Sequence, residues 1–325
     1  MSQPVFASLL ADRFVDFITF RRSSGADYRG RARALSYFDR FLSQQGSNGS
    51  YPTREIFSRY EISLNYLNPN TRASRLSVVR QFCLYLRQFE PQCYVPEPGA
   101  RTGQKFSRTP HIFASDEIKA LLVAAHHLSP QVSLRSMTFF TLFGLLYTTG
   151  LRVGEVMALD LSDADLGRQL LYVHKSKFRK SRWVPMSAST CSKLQCYIQE
   201  RTRIFSATPQ DPLFVNLRGG RLSRQVVYMA FRQALTRCGL RGGRGNPGPC
   251  LHDLRHSYAC NRLAAAYRRG EDVNALLPAL ATYLGHVCIT YTQVYLRATA
   301  ELLEMANQRF HNNFLQNVLK KGEVT

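Results

Sequence analysis

The stretch "LHDLRHSYAC", residues 251–260, predicts a helix with a polar, basic face. It follows "RGGRGNPGPC", residues 241–250, whose four glycines and two prolines predict an exposed loop. A helix that begins near His252 places His252 and Arg255 on one face, because side chains at i and i+3 are neighbours. The sequence of this helix alone does not identify the ligand that this face contacts, so the rest of the chain is needed to identify it.

The charge of the chain narrows the choice of ligand. Its 325 residues include 43 Lys and Arg against 22 Asp and Glu, which gives a net charge of +21 and a pI near 10.0. Such an excess attracts polyanions, of which nucleic acid is the commonest for a folded protein. The length suffices for two domains, each with its own core. Composition therefore favours a two-domain protein that binds nucleic acid.

The cysteines and the apolar segments indicate the compartment. None of the eight cysteines forms a Cys-x-x-Cys pair, and no Cys/His group has the spacing of a zinc site. The first residues lack the pattern of a signal peptide, and the longest apolar run, Met137–Tyr147, is too short to span a bilayer. We expect a soluble, cytoplasmic protein with reduced cysteines and with neither a metal ion nor a cofactor.

Residues 1–92 predict a small helical bundle. The clearest helix lies in "TRASRLSVVRQFCLYLRQFEP", residues 71–91, where Arg80 and Arg87 project from an apolar stripe. The stripe consists of Leu76, Val79, Phe82, Cys83, Leu86 and Phe89. Residues 93–111 are rich in proline, glycine and basic residues and predict an extended linker.

A second domain is predicted over residues 112–301, followed by an amphipathic tail helix over 302–325. Only one part of it has strand patterns, around Leu171–His174 and Trp183–Met186, with a basic turn between them. The remainder is helical, and Pro278 fits the first turn of the helix before "YLGH". The predicted fold is mainly α with a small antiparallel β-sheet.

Four separated pieces of the second domain form one pattern: "TGLRVGE", "HKSKFRKSR", "LHDLRHSYA" and "YLGHVCITYTQVYLR". Each piece alone is compatible with a purely structural role. Together, in order and spacing, they resemble the catalytic domain of the tyrosine recombinases, the phage integrase family. The matching residues are Arg152, Lys177, His252 with Arg255, Leu284-Gly285-His286, and Tyr295 nine positions after that histidine.

The resemblance implies cleavage of DNA through a covalent 3′-phosphotyrosine, with no ATP, metal or cofactor. Tyr295 would attack the phosphorus, and Lys177 would protonate the 5′-hydroxyl leaving group. Arginine stays protonated and offers a planar fork of donors, which suits the charge that builds up on the phosphate oxygens. The roles implied for the others are a phosphate clamp for Arg152 and Arg255, a further donor for His286, and proton transfer for His252. The first half would be the helical, SAM-like core-binding domain of such proteins.

Several assignments have alternatives within the sequence. Lys175 would share a strand face with Lys177, and Tyr291 lies one helical turn before Tyr295; the family's spacing favours the second residue of each pair. Glu155, three positions after Arg152, would orient that arginine, or form an ordinary solvated pair with it. The remaining histidines of these pieces, His174 and His256, are interpreted as structural.

Double-stranded DNA is the expected partner, held between two basic domains that are joined by a linker. The resemblance implies a homo-oligomer, a tetrameric synapse in which the tail around Phe310, Phe314 and Val318 docks into a neighbouring subunit; docking in cis is the alternative. The leading hypothesis is a site-specific recombinase, an integrase or transposase of a mobile element. The alternatives are a type IB topoisomerase-like enzyme and a catalytically inactive sequence-specific DNA-binding protein.

Overall fold

A computed structural model of the chain describes residues 5–25, 28–45, 49–97, 109–128, 133–174, 181–243, 248–285 and 292. The chain divides into two compact units, residues 1–108 and 109–325. The finer assignment of residues 1–92, 93–111, 112–301 and 302–325 to a DNA-binding domain, a linker, a catalytic domain and a tail stays a prediction.

The described part of the first unit is helical, as the sequence predicts. Phe14, Phe38 and Phe82 come from three different helices and are fully buried. The rings of Phe14 and Phe82 stack with their centroids 4.2 Å apart, and Phe38 meets Phe14 edge-on at 6.3 Å. Burial of large aromatic side chains contributes most of the stabilisation in so small a core. The helices are α1 (Ala11–Ser23), α2 (Arg29–Gln44), α3 (Arg54–Ser63) and α4 (Pro69–Leu86).

The apolar stripe predicted between residues 71 and 91 becomes the inner face of α4. Val79, Phe82, Cys83 and Leu86 are fully buried. Phe89 lies beyond the helix end and is 48% exposed, with the guanidinium of Arg13 4.7 Å from its ring centroid. The stripe is therefore confirmed inside the helix and ends where the helix ends.

The first residues after α4 pack on the first unit. Cys93 is 2% exposed in the core of that unit, and the backbone N–H of Tyr94 donates to the carbonyl of Pro52 over 3.1 Å. Arg80 donates from Nε to the carbonyl of Pro96 over 2.8 Å. Residues 93–96, which the sequence predicts as the start of an extended linker, thus contribute to the first unit.

The second unit combines helices with a three-stranded antiparallel sheet of order β1-β2-β3. Its described residues form two apolar clusters, and the helix that carries the apolar run Met137–Tyr147 belongs to the larger one. In the part of the chain that the structure describes, no helix has the length and apolar content needed to cross a membrane. The helices are α5 (Ser115–His126), α6 (Ser133–Thr149), α7 (Val153–Ala158), α8 (Ala188–Ile204), α9 (Arg224–Arg237), α10 (Leu251–Arg268) and α11 (Val273–Leu284).

The sheet confirms the predicted hairpin and adds one strand. The strands β2 (Leu170–Val173) and β3 (Arg182–Pro185) pair antiparallel, each one residue earlier than the sequence predicts. The third strand, β1 (Ala164–Asp165), has only two residues. So short a strand has no alternation of polar and apolar residues that a sequence pattern can detect.

The predicted place of Pro278 is wrong. It lies inside α11 and not in its first turn, because the helix begins five residues earlier, at Val273. Asp272 caps that start: its side chain accepts a hydrogen bond from the backbone N–H of Asn274 over 2.9 Å. The cap at Asp272 therefore begins α11 upstream of Pro278, the residue that the sequence pattern places in the first turn of the helix.

The glycine that ends α6 gives a stability prediction. Gly150 has φ +63°, and a Cβ atom there would lie 2.5 Å from Cδ1 of Tyr258; Gly239 has φ +73° and open space around the same position. We expect Gly239→Ala to lower the free energy of unfolding by about 1 kcal/mol, the cost of a left-handed alanine. Gly150→Ala should lower it by about 3 kcal/mol, because a steric clash adds to that cost.

Urea unfolding followed by circular dichroism measures both values on the full chain. Gly239→Ala is the control, since it changes the same residue type at the same backbone conformation without a clash. Equal losses for the two variants would show that Tyr258 does not restrict Gly150.

Candidate active site

The C-terminal end of α11 accepts hydrogen bonds from three arginines. Arg182 donates from Nε to the carbonyl of Tyr283 over 2.7 Å. Arg255 donates from Nη2 to the next carbonyl, that of Leu284, over 2.6 Å, and Arg152 from Nη2 to the carbonyl of Gly285 over 2.9 Å. Three consecutive backbone oxygens therefore hold three guanidinium groups, which come from β3, from α10 and from the residue before α7.

Helix geometry explains this arrangement. The last carbonyls of a helix have no partner within it, and they carry the negative end of the helix dipole, so cations bind there favourably. Gly285 ends α11 in the left-handed conformation, with φ +66°. A Cβ atom at this position would lie 3.1 Å from Nη1 of Arg182 and 3.5 Å from Nη1 of Arg152. Glycine here permits both the turn and the close approach of two arginines.

A buried glutamate joins two of the three arginines. The Oε1 atom of Glu155 accepts from Nη1 of Arg152 over 2.9 Å and from Nη1 of Arg182 over 3.1 Å. Its Oε2 atom accepts from Nη2 of Arg182 over 3.0 Å and from the backbone N–H of Arg152 over 2.9 Å. The sequence leaves open whether Glu155 orients Arg152 or is solvated; its side chain is 7% exposed and contacts Arg152 directly.

The pKa of Glu155 reflects these contacts. Burial alone would raise the pKa of the carboxyl, but hydrogen bonds and charge from Arg182 and Arg152 lower it below the ordinary value. The carboxylate is therefore ionised at neutral pH. Arg152, Arg182, Arg255 and Glu155 are together named the arginine cluster here. With three guanidinium groups and one carboxylate, the cluster has two positive charges in excess. Such an excess attracts an anion.

Arg255 is held more deeply than the sequence suggests. It is 1% exposed and donates from Nη1 to the carbonyl of Gly150 over 2.8 Å, in addition to its bond to Leu284. In this conformation it therefore links the end of α6 to the end of α11. Arg152 keeps 23% of its side chain exposed, so it is the more accessible of the two arginines expected to bind phosphate.

His252 lies one turn before Arg255 on α10, as predicted, and its side chain is exposed. Partial burial of the ring, together with the charges of His256, Arg255 and Arg152, lowers the pKa of His252 to about 4. A bound anion would offset the part of this pKa shift that the neighbouring cations cause. The imidazole is therefore neutral at neutral pH and can accept a proton.

The remaining predicted site residues lie outside the described residues. Lys177 and its alternative Lys175 belong to the connection between β2 and β3, and His286 directly follows Gly285. Tyr295 and its alternative Tyr291 follow further along the chain. Of the predicted set, the structure thus brings together Arg152, Glu155 and Arg255 with His252 nearby, and the roles assigned to all of these residues stay predictions.

Arg182 is a site residue that the sequence reasoning missed. The sequence places it at the end of the basic turn of the hairpin, where charged residues are ordinarily solvated. The signal that identifies it is the alternation of the strand, because Arg182 lies two positions before the fully buried Val184 and so shares its face. An arginine on the buried face of a strand requires a partner.

The two histidines interpreted as structural have partners of their own. His174 lies just after β2, and its Nε2 atom is 2.6 Å from Oδ1 of the buried Asp163. The ring of His256 meets that of His252 edge-on, with the centroids 4.6 Å apart. Neither is joined to the arginine cluster by any of these contacts.

Comparison with known proteins identifies the family. A sequence model of the phage integrase family matches residues 111–301. A protein of Sinorhizobium fredii assigned as an integrase/recombinase, y4rB, is 34% identical over 303 residues, 92% of this chain and 96% of its own. The tyrosine recombinase XerC of Halalkalibacterium halodurans is 30% identical over 286 residues, 85% of this chain and 88% of its own.

Solved structures share the fold at lower identity. The Tn1549 transposon integrase, in complex with transposon right end DNA, has a TM-score of 0.66 at 16% identity and is matched over 93% of this chain and 98% of its own. A lambda integrase dimer bound to a core site has a TM-score of 0.60 at 17% identity, over 88% and 95% of the two chains. The mainly helical fold with a small antiparallel sheet is therefore confirmed.

The environment of His252 gives a pH prediction. We expect its imidazole to titrate near pH 4 in the free protein, because partial burial of the ring and the charges of His256, Arg255 and Arg152 disfavour its protonated form. The unfolded chain binds this proton near the ordinary value of about 6.5. The contribution of His252 to stability is therefore complete above that pH and is lost as the pH falls from about 6.5 toward 4.

Two-dimensional NMR of the histidine rings measures the midpoint, with the signal assigned by its absence in His252→Gln. The same variant should lose less stability than the wild type between pH 7 and pH 5. A midpoint at or above the ordinary value would contradict the combined effect of burial and neighbouring cations on this ring.

Proposed function

Because this chain belongs to the phage integrase family of tyrosine recombinases, we propose that it is a site-specific recombinase that cuts and rejoins DNA through a 3′-phosphotyrosine. The observation that carries the proposal is that the guanidinium groups of Arg255 and Arg152 bind two consecutive backbone carbonyls. These carbonyls belong to Leu284 and Gly285, the two residues that precede His286 in the chain. A cytoplasmic location, as the sequence predicts, accords with this substrate and is part of the proposal.

The proposed phosphate site uses the excess positive charge of the arginine cluster. Negative charge grows on the phosphate oxygens as the phosphorus becomes five-coordinate, and donors fixed beforehand stabilise that charge without reorganisation. Arg152 presents its partly exposed guanidinium to one oxygen. Arg255, which donates to the carbonyls of Gly150 and Leu284 in the free protein, is proposed to contact another oxygen of the same phosphate when DNA is bound.

The proposed chemical step exchanges one phosphate ester for another. The phenol oxygen of Tyr295 forms a bond to phosphorus while the bond from phosphorus to the 5′ oxygen breaks. The phenolic proton passes to His252, whose lowered pKa leaves a neutral ring as acceptor, and the ammonium of Lys177 supplies a proton to the 5′ oxygen. His286 adds a donor to the phosphate. The energy of the broken ester is kept in the new one, and reversal of the step rejoins DNA.

A groove of about 360 Å³ in the first unit, between α2 and α4, supports DNA binding there. Arg33 is exposed on one wall; Arg75, on the other, lies with its guanidinium 4.0 Å from the ring centroid of Tyr37. The aromatic contact fixes the direction of Arg75 without neutralising its charge. The groove also presents polar side chains that can donate to phosphate oxygens, namely Asn70, Thr71 and Ser74.

Assembly on DNA follows from the same family. The Tn1549 integrase was solved with transposon DNA, and lambda integrase as a dimer on a core site. We infer that this protein binds duplex DNA as a homo-oligomer and that strand exchange takes place in a tetramer. The tail that is proposed to dock in a neighbouring subunit, residues 302–325, lies outside the described residues. The curated relatives are recombinases, which favours recombination over topoisomerase-like relaxation and over binding without chemistry.

Salt dependence tests the groove. Each protein cation that neutralises a phosphate contributes about 0.9 to the slope of log affinity against log salt concentration. We expect the double variant Arg33→Gln, Arg75→Gln to reduce the steepness of that slope by about 1.8. Fluorescence anisotropy with a labelled duplex measures it, and the exposed Arg59 of α3, outside the groove, provides the control Arg59→Gln. An unchanged slope in the double variant would remove the groove from the DNA interface.

Covalent trapping tests the chemistry. We expect the wild-type protein, incubated with sheared and nicked genomic DNA, to form a protein–DNA adduct that partitions with protein on phenol extraction. Tyr291→Phe is the matched control and should still form the adduct, whereas Tyr295→Phe should not, since it lacks the nucleophilic oxygen. If Tyr295→Phe still forms the adduct, the nucleophile is assigned to Tyr291 instead. If the wild-type protein forms no adduct, the assignment as an enzyme is overturned. Sequencing of the trapped strands maps the DNA site.

A further inference from the structure

Arg182 lies where the hairpin opens into the connection that carries the predicted acid. It is the first residue of β3 and is paired with Val173, the last residue of β2. Beyond this pair the chain continues into the connection that contains Lys177. The side chain of Arg182 is thus attached at the base of that connection, five positions from the lysine.

The contacts of Arg182 join the hairpin to two other parts of the site. Nη1 and Nη2 donate to the two carboxylate oxygens of Glu155 over 3.1 and 3.0 Å. Nε donates to the carbonyl of Tyr283 over 2.7 Å, two residues before Gly285. One side chain therefore connects β3 to the helix that follows Arg152 and to the segment that precedes His286.

These contacts require an arginine. A guanidinium offers a rigid fork that bonds both oxygens of a carboxylate and leaves Nε free for a third acceptor, whereas an ammonium group acts as a point charge on a flexible stem. Both partners are withdrawn from solvent, with Arg182 14% and Glu155 7% exposed. Because three nitrogens of the Arg182 guanidinium are bonded, both the position and the orientation of this group are fixed relative to Glu155 and to the end of α11.

The other end of the connection is held in a different way. His174, the residue after β2, contacts Asp163 beside β1. This contact ties the hairpin to its own sheet and not to the arginine cluster. The contacts of Arg182, which borders the connection, therefore fix the hairpin relative to Arg152.

We propose that Arg182 is a positioning residue for the protonation of the leaving group. By anchoring the base of the connection to Glu155 and to the end of α11, it sets where the ammonium of Lys177 stands relative to the phosphate held by Arg152. The inference rests on the proposed recombinase function. It adds a residue that affects protonation of the 5′ oxygen and not the attack of Tyr295 on phosphorus. Arg182 contacts no reacting atom; it acts through Lys177.

The leaving group makes the proposal testable. When the bond from phosphorus to the 5′ oxygen breaks, an alkoxide needs a proton, which the lysine ammonium supplies. If sulfur replaces that oxygen, the phosphorus–sulfur bond breaks to give a thiolate, which leaves without help from an acid because a thiol, with a pKa of about 8.5, is far more acidic than an alcohol. Loss of a correctly placed acid therefore slows the oxygen substrate and leaves the sulfur substrate nearly unaffected.

The experiment measures rates of covalent adduct formation on nicked duplexes of the mapped sequence, with either oxygen or sulfur at the 5′ bridging position. The variants of the full chain are Arg182→Gln, Arg182→Lys and, as the reference for loss of the acid, Lys177→Ala. The matched control is Arg221→Gln. Arg221 pairs with Asp160 and donates to the carbonyls of Met157 and Leu159 over 2.8 and 3.2 Å, so it holds the other end of α7, away from the hairpin.

We expect Arg182→Gln to slow the oxygen substrate by about 100-fold and the sulfur substrate by less than about 10-fold, the pattern of a lost general acid. Arg182→Lys should lie between this variant and the wild type, and Arg221→Gln should keep the wild-type ratio of the two rates. The ratio is taken within one preparation, so a reduced fraction of folded protein cancels from it.

Equal slowing of both substrates in Arg182→Gln would overturn the proposal, because it would show an effect on phosphate binding or on the fold as a whole. An unchanged rate on both substrates would overturn it as well. If the wild-type protein forms no adduct with the oxygen substrate and none with the sulfur substrate, the recombinase function is overturned, and this inference with it.

Discussion

The end of α11 is the constraint on which the rest of the site depends. A helix that stops inside a protein leaves carbonyl oxygens that need donors, and here three consecutive oxygens receive them from Arg182, Arg255 and Arg152. These arginines are up to 103 positions apart in the sequence, yet one short segment of backbone brings them together. The left-handed Gly285, which has no Cβ atom, leaves room for the guanidinium groups of Arg182 and Arg152.

Electrostatics decides what such a cluster can do. Three guanidinium groups repel one another, and the buried carboxylate of Glu155 offsets part of that cost by bonding two of them. The balance remains positive, and burial of the His252 ring together with the nearby positive charge lowers the pKa of His252, so that this ring is neutral at neutral pH. The interactions that terminate a helix therefore also form the proposed phosphate site, with the neutral ring of the proposed base beside it.

Much of this could be predicted from the sequence, and the limits have physical causes. Periodicity gave α4 and α10, alternation gave the hairpin, and the spacing of motifs gave Arg152 and Arg255. Local patterns do not show which backbone groups lack partners in the folded protein, so the capping role of Arg182 and the burial of Arg255 were not foreseen. The early start of α11 depends on a cap at Asp272, a local signal that the more conspicuous Pro278 obscured.

The central claim is that Arg152 and Arg255 serve a single phosphate. A crystal structure of the protein on a nicked duplex of its mapped site measures this most directly, through the distances from both guanidinium groups to the phosphate at the nick. We predict that oxygens of that one phosphate lie about 3 Å from nitrogens of both arginines. A complex in which Arg255 keeps both of its carbonyl partners and the phosphate contacts Arg152 alone, or neither arginine, would contradict the account.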